Sequence, residues 1–387
     1  MAEPLKTFFS AALVRRLAGE IASVEPAFRA SAFITQATAG LEALELIDRG
    51  KHIAAALGDH LPPDYPSAIG ILLRSLGAEH AKEELVGAGM APFFYLPHVL
   101  FVAQRGLEHF DLSMNAQYEL TKRFTAEGSI RPYIARDPER AFRFLRTWAR
   151  DSNAHVRRLV SEGTRLRLPW ASRVEWLDRN PTRVIELLEL LKDDPTTLVR
   201  RSVANNLNDL GKVHPQLLVT TCTAWMADPS AERRALIEHA LRSAVKRGEA
   251  GALGILGFGG KASVSVEDIE FEPATVAIGG HVEVSFTLRS KARRAQDLLV
   301  DLAVHFVKAN GKGSPKVFKI KRVALPPGGE AKLRAKISLA VHSTRKPRPG
   351  RHAVDVLVNG QSIPAGAFEV VEAPAKKRTR ARAGKKS

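Results

Sequence analysis

The chain is short of several things, and each shortage narrows what it can be. Its 387 residues include one cysteine, Cys222. A lone thiol excludes an intrachain disulfide and any zinc site built on paired cysteines. The histidines are scattered without HExxH or HxxxH spacing, so motif spacing argues for no metal and no cofactor. No apolar run approaches the ~20 residues that span a bilayer, so no membrane partner is expected. The segment from Met1 to Ser10 has neither a basic n-region nor a long apolar h-region, so a secretory leader is not expected. Together these readings favour a cytoplasmic protein. Acidic residues are also scarce, 41 against 58 Lys and Arg, which leaves a formal net charge of +17. Such a surplus speaks about partners rather than fold: nucleic acid, acidic membranes or acidic proteins.

What is present is a repeat. Asp151-Ser-Asn-Ala-His-Val-Arg-Arg158 is echoed by Asp194-Pro-Thr-Thr-Leu-Val-Arg-Arg201, and more loosely by Asp228-Pro-Ser-Ala-Glu-Arg-Arg234. Arg158 and Arg201 stand 43 positions apart, inside the ~40–47 residue period of HEAT-type helical repeats. In each copy the Asp is expected to cap a new helix, with Pro fixing the first turn of the later copies. The Val then faces inward and the arginine pair emerges on the polar side. Stacked copies would line those arginines along one concave face, a surface for a polyanion.

Helical spacing predominates up to about residue 250. Glu139–Arg150, Thr182–Lys192 and Pro215–Met226 carry apolar residues three and four apart, with Pro, Gly and Asp as punctuation. A Gly-rich joint, Gly251 to Gly260, follows, and the texture changes to alternation. Strands are predicted at Val264–Phe271, His281–Leu288, Leu298–Phe306, Lys316–Val323, Lys332–Leu339 and His352–Val358, with turns at Gly279-Gly280, Asn310-Gly311, Pro326–Gly329 and Asn359-Gly360. About seven short strands in ~100 residues indicate an Ig-like sandwich. The expected fold is therefore an all-α HEAT-like repeat solenoid followed by an all-β Ig-like sandwich. The boundaries read as 1–250 for the helical domain, 251–262 for a linker, 263–373 for the sandwich and 374–387 for a disordered basic tail.

Three blocks carry a resemblance to a known family. His155–Trp170 (HVRRLVSEGTRLRLPW) resembles the signature of the AlkC group of DNA alkylation-repair glycosylases. Ser202–Asp209 (SVANNLND) is similar to the next repeat of that group, and Phe124–Pro132 (FTAEGSIRP) to a third segment, with Gly128-Ser129 in place of bulkier residues. The resemblance implies a monofunctional, metal-free glycosylase that acts as a monomer on double-stranded DNA. Its substrates would be cationic N-alkylated bases, 3-methyladenine foremost and 3-methylcytosine besides. It also implies work at the sugar–base bond without an enclosing base pocket, where most glycosylases extrude the base into one. The alternative function is a non-catalytic HEAT-repeat scaffold for nucleic acid or protein.

An N3-alkylated purine is already cationic, so its departure needs no proton. The enzyme needs negative charge near a sugar that gains oxocarbenium character, an orienting surface and a water. On the resemblance, Glu127, Glu162 and Asp209 are the candidate carboxylates and Trp170 lies against the deoxyribose, its π face favouring positive charge. Arg157, Arg158, Arg165, Arg200 and Arg201 are candidate phosphate ligands, with Lys376, Lys377 and Arg378 of the tail as a non-specific tether. Each assignment has a plainer competitor. Glu127 and Arg131 could form an i,i+4 pair. Glu162 could merely neutralise Arg158, Arg165 and Arg167, and Asp209 could be a helix-end contact. Trp170 could anchor a core, as is expected of Trp148, Trp176 and Trp225. Arg157 and Arg201 could pair with neighbouring acids. Asn205, Asn206 and Asn208 are expected to tie repeats together. The discriminating feature is acids placed in a basic groove, from which a simple phosphate binder gains nothing.

Overall fold

Proline and small polar residues set where the helices begin. The computed structural model describes residues 4–80, 89–307, 313–341 and 346–372, and the chain divides into two compact units, Met1–Arg242 and Ser243–Ser387. The first unit is helical throughout its described residues. It opens with α1 (Ala11–Val24), α2 (Ala30–Thr38), α3 (Leu46–His60), α4 (Tyr65–Arg74), α5 (Leu96–Arg105) and α6 (Phe110–Thr121). Two repeats then carry the sequence signals: α7 (Arg131–Arg136), α8 (Pro138–Trp148) and α9 (Ala154–Gly163), followed by α10 (Glu175–Arg179), α11 (Pro181–Glu189) and α12 (Thr197–Leu210). Next come α13 (Pro215–Trp225) and α14 (Ala231–Lys246). Pro stands in the first turn of α4, α5, α7, α8, α11 and α13, where its fixed φ suits the helix and its missing N–H would have no partner.

The repeat turn is built differently from the expectation that its Asp caps the helix. In the first copy Asp151 accepts from the Asn153 N–H, and Asn153 caps α9 by accepting from the His155 N–H. In the second, Asp194 accepts from the Thr196 N–H, and α12 begins one residue later. In the third, the Ser230 hydroxyl receives the Arg233 N–H at the start of α14. In the first two copies the Asp thus braces the turn, and in all three the residue two positions on adjoins the helix. Val156 and Val199 are fully buried as the repeat requires, and α9 packs directly on α12. Of the expected core tryptophans, Trp148 and Trp225 are buried, whereas Trp176 is half-buried with its ring 5.1 Å from that of Phe142.

The second unit pairs a three-stranded sheet, β1-β3-β6, with a five-stranded sheet, β2-β8-β7-β4-β5. The strands are β1 (Val264–Glu272), β2 (Thr275–Ala277), β3 (His281–Ser290), β4 (Gln296–Val307), β5 (Gly313–Leu325), β6 (Glu330–Ser338), β7 (Gly350–Val358) and β8 (Gln361–Val371). All pairings are antiparallel except β2 with β8. Val282, Val284 and Phe286 of β3 share one core with Val300, Leu302 and Val304 of β4 and with Val354 and Val356 of β7. The sequence passes over β2 and β8. β2 is three residues long, and in β8 Pro364 and Gly366 flank an extra residue, Ala365, where the register with β7 shifts between Val354 and Asp355 and the alternation breaks. The Gly-rich joint is not a linker: Ala250–Ile255 forms α15, Ala252, Leu253 and Phe258 are buried, and the Arg322 guanidinium lies 5.3 Å from the Phe258 ring. Asn310-Gly311 and the basic tail with Lys376, Lys377 and Arg378 lie outside the described residues.

Candidate active site

The two arginines of a repeat pair are used differently. Arg157 spends all five of its N–H donors inside the protein. Nε and Nη2 form a fork on Asp194 at 2.5 and 3.1 Å, Nη2 also reaches the Thr196 hydroxyl, and Nη1 reaches the carbonyls of Asp151 and Ser152. No N–H is left for a phosphate, so the expectation of Arg157 as a DNA ligand gives way to a staple between consecutive repeat turns. Arg200 repeats half of that pattern, with Nη1 on the carbonyls of Asp194 and Pro195 and Nη2 on the Thr197 hydroxyl. Arg201 is exposed and borders an open groove of about 430 Å³ together with Thr197, Arg200, Glu232, Leu236 and His239.

Arg158 turns the other way, toward the preceding segment. Its Nη2 donates to Glu127 Oε2 at 2.8 Å, and Nη1 lies 3.4 Å from the Thr125 hydroxyl, which itself donates to the same carboxylate oxygen. Glu127 therefore pairs with Arg158 and not with Arg131, contrary to the helical i,i+4 reading. Residues 127–130 form a turn, so the periodicity that reading needs is absent there. Of the three candidate carboxylates Glu127 is the most accessible, its side chain 24% exposed.

Glu162 and Asp209 are brought together by a shared cation. Arg165 donates to Glu162 Oε2 at 2.9 Å, and through Nε and Nη2 to Asp209 Oδ2 at 2.8 and 2.7 Å. Burial disfavours the Arg165 charge, but the two carboxylates outweigh it and hold the guanidinium pKa above its ordinary value. Lys212 covers Asp209 Oδ1 at 2.8 Å from the solvent side. Beneath them the Asn206 amide, fully buried, donates to the Ser161 carbonyl and the Thr164 hydroxyl, tying α12 to the end of α9. Asn205 reaches the following repeat instead, accepting from Arg242 and facing His239 Nε2 at 3.1 Å.

Trp170 is neither core nor helix. It stands at φ +61 on the turn after α9 with 79% of its surface exposed. Bulky residues rarely adopt that conformation, and an exposed indole contributes nothing to a core, so the strain has to be held by its surroundings. Arg131 holds them. Only 2% exposed, it donates from Nε to the Ser172 carbonyl at 2.7 Å, and from Nη1 to those of Gly163 at 3.0 Å and Arg165 at 2.8 Å. Arg167 pins the middle of the turn to Asp178 at 2.8 Å. Gly163 admits the close approach beneath it, since a Cβ there would come 2.7 Å from Ile130 Cγ2. Sequence reasoning gave Arg131 no part in the site, because its partners lie 32 to 41 positions further on. Arg242 was also missed; it lies near enough to Arg165, Arg201 and Asp209 to feel their charges.

An alkylpurine DNA glycosylase of Pseudomonas fluorescens, AlkC, solved bound to DNA containing an abasic site analogue, is 35% identical and superposes with a TM-score of 0.87 over 95% of this chain and 100% of its own. The chain belongs to the AlkC family. A second relative, the uncharacterized protein YhaZ of Bacillus subtilis (strain 168), is 33% identical over 371 residues, covering 95% of this chain and 99% of its own. Residues 265–372 match the family described as the C-terminal Ig-like domain of YhaZ. The AlkC likeness thus runs through both units, and the Ig-like sandwich is part of it. Among the described residues, no group of three or more His, Cys, Asp or Glu side chains is placed to hold a metal ion, and no helix is long and apolar enough to cross a membrane.

Proposed function

We propose that this protein is a monofunctional DNA glycosylase of alkylation repair that removes cationic N-alkylated bases, 3-methyladenine foremost and 3-methylcytosine besides, from duplex DNA. The observation that carries the reading is Trp170, a strained and exposed indole on a braced turn that also carries Arg165, the arginine bonded to the Glu162 and Asp209 carboxylates. The same architecture in the P. fluorescens relative was solved on DNA with an abasic site analogue, the kind of site such an excision leaves.

In this reading the deoxyribose of the damaged nucleotide rests on the Trp170 ring while Arg158 and Arg201 meet flanking phosphates. As the glycosidic bond stretches, positive charge builds on the sugar, and Glu127, Glu162 and Asp209 supply the opposing field. Arg165 fixes two of those carboxylates before the substrate arrives, so the field needs no reorganisation during the reaction. Glu127, the most accessible of the three, orients the attacking water. The base leaves as a neutral molecule, because it carried its charge from the start, and no general acid is required. The protein acts as a monomer in the cytoplasm, held on the nucleoid by its DNA affinity.

The test separates an enzyme from a scaffold. Methylated duplex DNA is incubated with the full chain in the presence of EDTA, and released bases are separated by chromatography. Free 3-methyladenine with intact strands bearing abasic sites is the expected result. Tight binding without base release would leave the non-catalytic scaffold as the better account.

A further inference from the structure

Arg131 is buried in a place that is unfavourable for a cation. Burial pushes its guanidinium pKa down to about 10, with only the charge of Asp178 opposing. Its hydrogen bonds among the described residues run to backbone carbonyls. A guanidinium held there at such a cost is expected to be doing a task that a neutral side chain cannot.

Its position indicates the task. Arg131 opens α7 directly after the turn that carries Glu127, and its three acceptors belong to the segment that carries Arg165 and Trp170. Gly163 is the last residue of α9, so the cation also sits at the negative end of that helix. The acceptors span both flanks of Trp170: Gly163 and Arg165 before it, Ser172 after it. Only a forked donor reaches both flanks at once, with Nη1 serving the first pair and Nε the last. Glu162 and Asp209 are carried by α9 and α12 and share Arg165, so the one buried side chain of Arg131 sets where the indole stands relative to two carboxylates that it does not itself place.

We propose that Arg131 is a positioning residue of the site, a forked clamp that holds the turn from Gly163 to Ser172 in the strained form that presents Trp170. The proposal rests on the glycosylase reading for its kinetic consequence, but not for its structural one.

Full-length protein is labelled with 5-fluorotryptophan, and the Trp170 resonance is identified as the one lost in Trp170→Phe. In Arg131→Lys, which keeps the charge but not the fork, the Trp170 resonance should shift while those of Trp148 and Trp225 stay in place. Single-turnover excision should fall at least tenfold at unchanged duplex affinity. Arg131→Lys combined with Trp170→Ala should be no slower than Trp170→Ala alone, because the clamp acts through the indole. Arg131→Met removes the charge as well and should give a larger shift where it folds; if it does not fold, the Lys variant decides alone. A Trp170 resonance that stays put in folded Arg131→Lys, or losses that multiply in the double variant, overturns the clamp. If Trp170→Ala itself excises at the parental rate, the glycosylase site is wrong, and the resonance still decides whether Arg131 holds the turn.

Discussion

Neighbouring arginines of like chemistry have opposite duties at residue scale. Arg157 faces Asp194, whose side chain is 3% exposed, and removing one partner of so buried a pair leaves a charge uncompensated. Arg157→Ala should therefore lower stability in urea by about 3 kcal/mol, while the salt dependence of duplex binding stays put. Arg158→Ala should do the reverse: little stability lost, and the log–log salt slope reduced by about 0.9 for one phosphate contact. A stable Arg157→Ala variant with a reduced slope would exchange the two roles. The sequence showed that these arginines matter but not which was which, because the difference lies in partners 37 residues ahead and 31 behind. The plainer competitor for Glu127, an i,i+4 pair with Arg131, fails for a related reason: a spacing of four implies contact only on a helix, and residues 127–130 form a turn. Trp170 stood out through the AlkC resemblance alone. Nothing in Pro169-Trp170 announces a positive φ, which is imposed by the carbonyls that Arg131 gathers.

Element by element, the helical half was legible to within a few residues, since its prolines and its three- and four-residue spacing report local physics. Glu139–Arg150 is realised as α8 at Pro138–Trp148, and Pro215–Met226 as α13 at Pro215–Trp225. The strands were legible where alternation is clean, as in β3, and lost where a bulge, Pro364 and Gly366 scramble it in β8. The joint misled because glycine was read as flexibility, whereas Gly259 lies close against Gly254: a Cβ on Gly259 would come 2.8 Å from the Gly254 Cα. The junction most open to test is the end of α9. A methyl at Gly163 would meet Ile130 Cγ2 at 2.7 Å, so Gly163→Ala should cost about 1–3 kcal/mol. It should also slow excision, by lifting the last turn of α9 from the Glu127 turn. Thermal unfolding measured beside single-turnover excision checks both, and a variant of parental stability would mean that the approach is looser than described.

Over the whole molecule the surplus of +17 has three sources: the arginine-bearing repeats, the Ig-like sandwich, and a tail with seven Lys or Arg between Lys376 and Lys386. Deleting the residues after Ala375 should flatten the salt dependence of non-specific DNA binding by roughly 2–4 in log–log slope. Excision at saturating enzyme should not change, because the sugar chemistry is assigned to the helical unit. An unchanged slope would remove the tail from the interface, and a collapse of the saturated rate would add it to the site. The central claim, that an exposed indole and fixed carboxylates break the sugar–base bond, is tested most directly with Trp170→Ala. Release of 3-methyladenine from methylated duplex is followed in a single turnover, at enzyme concentrations that saturate the DNA for both proteins. The account predicts a loss of ~10²-fold or more in rate with duplex affinity nearly unchanged. Release by Trp170→Ala at the parental rate would contradict it.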